Sequence, residues 1–79
     1  MQSTEMKNSN IEKRLMEQLV RQGLARILIP WFIKDLLCAF LIKTPRSRLD
    51  VNKRLRFYGW GNFEIDYQTY RVAKAYVEG

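Results

Sequence analysis

Six cationic side chains fall within one stretch of this 79-residue chain, and a single carboxylate, Asp50, lies among them. The six are Lys43, Arg46, Arg48, Lys53, Arg54 and Arg56. Six cations less one carboxylate give this stretch a net charge of +5, out of +6 for the chain. Guanidinium groups bind phosphates and carboxylates through paired hydrogen bonds, and four of the six are arginines. The segment therefore predicts a site for an anionic partner.

Aromatic residues follow the basic segment directly. They are Phe57, Tyr58, Trp60 and Phe63. Cations next to aromatic rings suit a surface that holds phosphates and stacks bases. Tryptophan, tyrosine and arginine are also enriched at the hot spots of protein interfaces. The same composition would equally form an ordinary core beside a solvated, charged edge.

The residue types that most enzymes use are scarce. The chain has no histidine and one cysteine, so it can form neither a histidine-based catalytic dyad nor a zinc site of the usual Cys/His type. Cys38 lies in the most apolar stretch and is expected to be a buried, unreactive thiol. Glu64 and Asp66 are the only close pair of carboxylates, and their simplest role is to balance arginines. We expect no catalysis, no cofactor, no metal and no small-molecule substrate.

The length allows one small domain, and its stability needs an explanation. A chain of this size buries only about 60–65% of the surface that it exposes when unfolded. It has no disulfide and no metal to compensate, yet 47% of its residues are apolar. We therefore expect association, as a homo-oligomer or with a protein partner. The lone cysteine suggests a cytoplasmic protein, with a disordered tail over residues 1–9 and a domain over 10–79.

Helical periodicity dominates the first half of the chain. A possible capping box at Ser9 to Glu12 precedes an amphipathic pattern over 10–22, and Gly23 is a natural helix end. Pro30 suits the first turn of a second helix that reaches Ile42. This segment is apolar nearly all round, which requires cover on every side, from the monomer core or from a partner. It is too short and too charged to span a membrane, so we expect no membrane role.

The second half allows two interpretations. In the first, Thr44-Pro45 starts a third helix that stops at Gly59, and Asn62 or Asp66 caps a last helix to Glu78. In the second, 51–57 and 63–69 form a hairpin that pairs Arg56 with Glu64 and Arg54 with Asp66. The fold class expected is mainly α, three to four short helices around an apolar central helix. The alternative is α+β, two helices followed by a β-hairpin at about 51–69 and a C-terminal helix.

Two functions fit these residues. One is a small, basic, regulatory or adaptor protein that binds a protein partner through arginines and aromatic anchors. The anchors would be Trp31, Phe32 and the aromatic cluster of Phe57, Tyr58, Trp60 and Phe63. The other is a DNA- or RNA-binding protein whose Lys43–Arg56 segment contacts the phosphate backbone, helped by the adjacent aromatics.

Overall fold

The computed structural model describes the backbone of residues 2–79 and the side chains of residues 10–79. Four α-helices follow one another: α1 (Gln2–Arg21), α2 (Ile29–Leu41), α3 (Arg48–Phe57) and α4 (Tyr67–Glu78). A short 3-10 helix, Arg26–Leu28, leads into α2. Residues 2–79 contain no strand, so the mainly α prediction is confirmed and the alternative hairpin over 51–69 is wrong.

The first helix begins earlier than the sequence pattern predicted. Its backbone is helical from Gln2, so Ser9 lies inside α1 and the predicted capping box at its start is wrong. The expected disordered tail falls on residues 1–9, whose side chains lie outside the described residues, and it stays a prediction. From Asn10 onward α1 is amphipathic as expected, with Leu15 and Leu19 fully buried.

Two glycines end two helices by the same hydrogen-bond pattern. Gly23 and Gly59 have φ of 97° and 100°, a left-handed conformation that glycine adopts without steric cost. After α1, the Leu24 amide donates to the Leu19 carbonyl at 3.0 Å. After α3, the Trp60 amide donates to the Leu55 carbonyl at 3.1 Å. Both are Schellman ends, and both predicted glycine stops are confirmed.

The central position of α2 is confirmed. It packs against α3 and α4, with Pro30 in its first turn. Six of its residues are buried: Ile29, Phe32, Ile33, Leu36, Ala39 and Phe40. Three apolar side chains at its two ends remain exposed, namely Trp31, Leu41 and Ile42. The chain's own helices thus cover one side of α2 and leave some apolar side chains exposed near each of its ends.

The start of α3 differs from the prediction. The helix begins at Arg48, after Ser47, and not at Thr44-Pro45. Pro45 is buried, and the Arg46 amide donates to Asp50 Oδ2 at 2.9 Å. The residues after Thr44 therefore form a turn that leads into α3, and they do not supply a helix N-terminus for an anion.

The last helix begins at the second of its two predicted caps. Asp66 Oδ1 accepts a hydrogen bond from the Thr69 amide at 2.8 Å, so the carboxylate satisfies one of the free amides of α4. Helix α4 packs against both α1 and α2 and buries Thr69, Tyr70 and Ala73. These contacts close the bundle.

Candidate functional site

Arg54 serves the fold. Its Nη1 donates to the Ala39 carbonyl at 2.6 Å and also to the Lys43 carbonyl. These carbonyls belong to the C-terminal end of α2 and the turn after it, where backbone acceptors lack helical partners. Arg54 thereby joins α3 to the end of α2, and its guanidinium is already occupied.

Two more of the six cations are also engaged. Arg48 donates to the Ile65 carbonyl at 3.3 Å, and Arg56 pairs with Glu64 at 3.1 Å. The Arg56–Glu64 pair was predicted from a hairpin but forms between α3 and the loop after it. The other predicted pair, Arg54 with Asp66, does not form. Asp66 instead pairs with Arg21 at 2.6 Å.

The remaining cations, Lys43, Arg46 and Lys53, have exposed side chains. Among residues 10–79 these three side chains have neither a hydrogen bond nor an ion pair. The pKa of Asp50 is lowered mainly by the backbone hydrogen bond from Arg46, and the charges of Arg54, Arg46 and Lys53 lower it further. Three of the six cations of the basic segment are therefore exposed and free of polar side-chain contacts within residues 10–79.

A groove lies between the end of α2 and the end of α3, and we call it the Phe57 groove. It has a volume of about 310 Å³. It is lined by Cys38, Ile42, Lys43, Arg54, Phe57 and Tyr58. Phe57 is 84% exposed and Ile42 is 76% exposed, so two large apolar side chains face solvent next to a lysine. Cys38 is half-buried in this lining, whereas the sequence predicted a buried thiol.

The predicted aromatic anchors separate into an exposed group and a buried group. Tyr58 and Trp31 are exposed, and Tyr58 lines the Phe57 groove. Phe32 is fully buried, and its ring centroid lies 5.0 Å from that of Trp60, edge to face. The half-buried Trp60 donates its indole N–H to Asp35 Oδ2 at 2.7 Å. Phe32 therefore cannot be a surface anchor, and Trp60 mainly supports the core.

Phe57 belongs to the predicted aromatic cluster, and it lies on the solvent face of α3. Val51 and Leu55 mark the buried face of this helix. Phe57 comes two residues after Leu55, which is about 200° around the helix and thus on the opposite face. The ring is therefore exposed on a basic helix.

Two amides that the sequence did not single out hold the loop between α3 and α4. Asn52 is buried, and its side chain donates to the Ile65 carbonyl at 3.1 Å and accepts from the Ile65 amide at 2.9 Å. Gln22 accepts from the Asp66 amide at 3.0 Å and from Thr69 Oγ1 at 2.6 Å. These bonds satisfy the polar groups of a chain segment that has no helical partners of its own.

The pKa of Asp66 is lowered to about 2. The largest cause is the hydrogen bond from Arg21, followed by the backbone hydrogen bond from Thr69. Both favour the charged carboxylate. This group therefore acts as a structural anion at the junction of α1 and α4.

The part of the chain that the structure describes contains no cluster of three or more histidine, cysteine or acidic residues placed to hold a metal ion. Within it, no helix combines the length and the apolar character needed to cross a membrane. Comparison with known protein families, curated proteins and solved structures finds nothing similar to this chain.

Proposed function

We propose that this chain is a non-enzymatic adaptor or regulatory protein that binds an acidic, partly apolar segment of a protein partner in the Phe57 groove. The observation that carries the proposal is the exposure of Phe57 and Ile42 beside Lys43 in one cavity. Aromatic and aliphatic side chains exposed together, with a polar rim, are typical of interaction sites. An apolar side chain of the partner would fill the cavity and remove both residues from water.

The cations around the groove specify the charge of the partner. Lys43 lines the cavity. Lys53 lies one turn before Phe57 on α3, so the side chains of Lys53 and Phe57 are on the same face of that helix. A partner segment with carboxylates beside its apolar anchors would complement this rim. Charge complementarity of this kind mainly increases the association rate and excludes basic partners.

The lining favours a protein segment over a nucleic acid. Ile42 and Cys38 have no flat face on which a base could stack, whereas they suit an aliphatic or aromatic side chain. Three of the six predicted phosphate contacts, Arg48, Arg54 and Arg56, already bind groups of this chain. If nucleic acid did bind here through Lys43, Arg46 and Lys53, the log–log salt slope from this segment would be no steeper than about −3.

The test is selection from a random peptide-display library against the full chain, followed by anisotropy titration of the selected peptides. We expect enrichment of glutamate and aspartate next to leucine, isoleucine or aromatic residues. Phe57→Ala should weaken binding at least about tenfold, as expected for an anchor at the centre of an interface. Replacing the carboxylates of a selected peptide by amides should weaken its binding to the wild-type chain and remove the salt dependence of that binding.

The matched control is Leu49→Ala. Leu49 is also on α3 and is 67% exposed, but it lies outside the groove lining. This variant should bind like the wild type. Two results would contradict the proposal. One is that the selected peptides lack acidic residues. The other is that they bind the Phe57→Ala and Leu49→Ala variants with the same affinity. Labelled single-stranded and duplex DNA and RNA complete the titrations, and salt-sensitive binding that is unaffected by Phe57→Ala would favour the nucleic-acid alternative.

A further inference from the structure

A second apolar surface lies at the opposite end of α2, and we call it the Trp31 face. It contains the exposed side chains of Ile27 and Trp31, which are 81% and 64% exposed. These residues are four apart, across the junction of the 3-10 helix and α2. A separation of four residues in helical backbone places both side chains on the same side, so the two form a short apolar ridge.

A groove lies in the same region, between α1 and the start of α2. Its volume is about 550 Å³. Its apolar lining consists of Met16, Val20, Ile29 and Pro30. Pro30 belongs to this lining and directly precedes Trp31, so the ridge and the groove are adjacent. One copy of the chain thus presents both a protruding apolar element and a cavity that could receive one.

The charges around this groove are of both signs. Lys13, Glu17, Arg21 and Arg26 lie in its lining. Arg21 is already bound to Gln18 and Asp66. Glu17 lies on α1 and Arg26 on the opposite wall of the groove. Both are available to form ion pairs with groups on a partner. A surface that contains both charges can complement its own copy, which a purely cationic surface cannot do.

We propose that the Trp31 face is the interface of a two-fold homodimer, in which Ile27 and Trp31 of each copy occupy the groove of the other. A two-fold axis brings the same patch of both copies together, so a ridge next to a groove satisfies both chains at once and closes the assembly at two. Glu17 of each copy would then face Arg26 of the other. The dimer would also supply the apolar cover that a chain of this size lacks.

This interface is independent of the Phe57 groove. The two surfaces are at opposite ends of α2, whose 13 residues span about 20 Å. No residue lines both cavities. Dimerisation through the Trp31 face would therefore leave a Phe57 groove open on each copy.

The experiment is sedimentation velocity of the full chain from low micromolar to high micromolar concentration. The wild type should sediment as a dimer at the upper end. Ile27→Glu and Trp31→Glu should each raise the dimer dissociation constant at least about 30-fold, the effect of losing an interface hot spot. Both side chains face solvent in the monomer, so far-ultraviolet circular dichroism should remain that of a helical protein. Leu49→Glu, a charge placed at an equally exposed residue of α3, is the matched control and should leave the dissociation constant unchanged.

A charge exchange tests the geometry separately from the apolar contacts. Glu17→Arg alone and Arg26→Glu alone should each weaken the dimer, because each brings like charges together across the two-fold axis. The double variant should recover most of the wild-type affinity. A chain that stays monomeric at every concentration would overturn the proposal. Two results would overturn the assignment of the interface. One is that Leu49→Glu weakens the dimer as much as Trp31→Glu does. The other is that the charge variants leave the dimer dissociation constant unchanged.

Discussion

At the residue scale, Asp66 contacts both helices at the junction between α1 and α4. Its carboxylate caps α4 through the Thr69 amide and pairs with Arg21 at the end of α1. Its own amide donates to Gln22. One side chain and its backbone therefore connect the end of the first helix to the start of the last one.

Asp66→Asn and Asp66→Ala separate the two roles of this carboxylate. Because its folded pKa, about 2, lies below the ordinary value of 3.8, the charged form stabilises the fold. That stabilisation is present above about pH 4 and is lost as the pH falls toward about 2. The Asp66→Asn variant keeps the helix cap and loses the ion pair. Its loss of unfolding free energy relative to the wild type should therefore shrink as the pH falls from about 4 toward about 2. Alanine also loses the cap, which costs about 1 kcal/mol more.

Urea denaturation of the three proteins between about pH 2 and about pH 7 provides the measurement. Glu78→Gln, at the exposed C-terminal end of α4, should show no such change with pH relative to the wild type. If the Asp66→Asn deficit stayed constant across the whole range, the charge on Asp66 would have no role in stability.

At the element scale, the end of α2 depends on a side chain from α3. The Arg54 guanidinium binds the carbonyls of Ala39 and Lys43, while its apolar stem lies along the Phe57 groove. The C-terminal end of α2, which lines the groove, is therefore held in place by Arg54. From its position in the basic segment alone, Arg54 would be taken for a ligand-binding residue.

Arg54→Met keeps the apolar stem and removes the donors. We expect a loss of about 1–2 kcal/mol of unfolding free energy, because hydrogen bonds from charged groups are stronger than average and carbonyls lose their partner. Amide hydrogen exchange should accelerate locally over residues 39–43. Lys53→Met, at the exposed neighbouring position, should change stability by no more than about 0.5 kcal/mol. Equal effects of the two substitutions would show that Arg54 does not secure the end of α2.

At the scale of the whole molecule, two apolar surfaces share one helix. The chain measures 38 × 27 × 19 Å, and α2 separates the Phe57 groove from the Trp31 face. If both proposals hold, the dimer presents two grooves for the same acidic segment. Such an adaptor would bridge two copies of a partner or bind a clustered partner more tightly than a single one.

Avidity provides the measurement of this bivalency. A peptide selected on the Phe57 groove should bind the chain with an apparent affinity about 10²–10⁴-fold higher on a densely coated surface than on a sparse one. Trp31→Glu should abolish this difference without changing the affinity on the sparse surface. Phe57→Ala should weaken binding on both. If the apparent affinity of the Trp31→Glu variant still depended on the density of the coated surface, the two grooves would not be linked by the Trp31 face.

The sequence by itself determined where most helices end and where the charge lies. Gly23 and Gly59 stop α1 and α3, Pro30 lies in the first turn of α2, and Asp66 caps α4. These features depend on residues within one or two turns of each other, so they can be predicted without knowledge of the fold. The location of the basic segment is likewise a property of the chain alone.

Only the tertiary structure decided which of those residues face a partner. Helix α2 is apolar nearly all round, so no wheel could separate the buried Phe32 from the exposed Trp31. Their difference arises from the fold, because Trp60 and Phe63 in the loop between α3 and α4 pack against Phe32. In the same way Arg54 and Lys53 are adjacent cations in sequence, but Arg54 reaches carbonyls 11 and 15 residues away while Lys53 remains exposed. Contacts over such distances along the chain depend on how the helices pack, and local sequence patterns do not encode them.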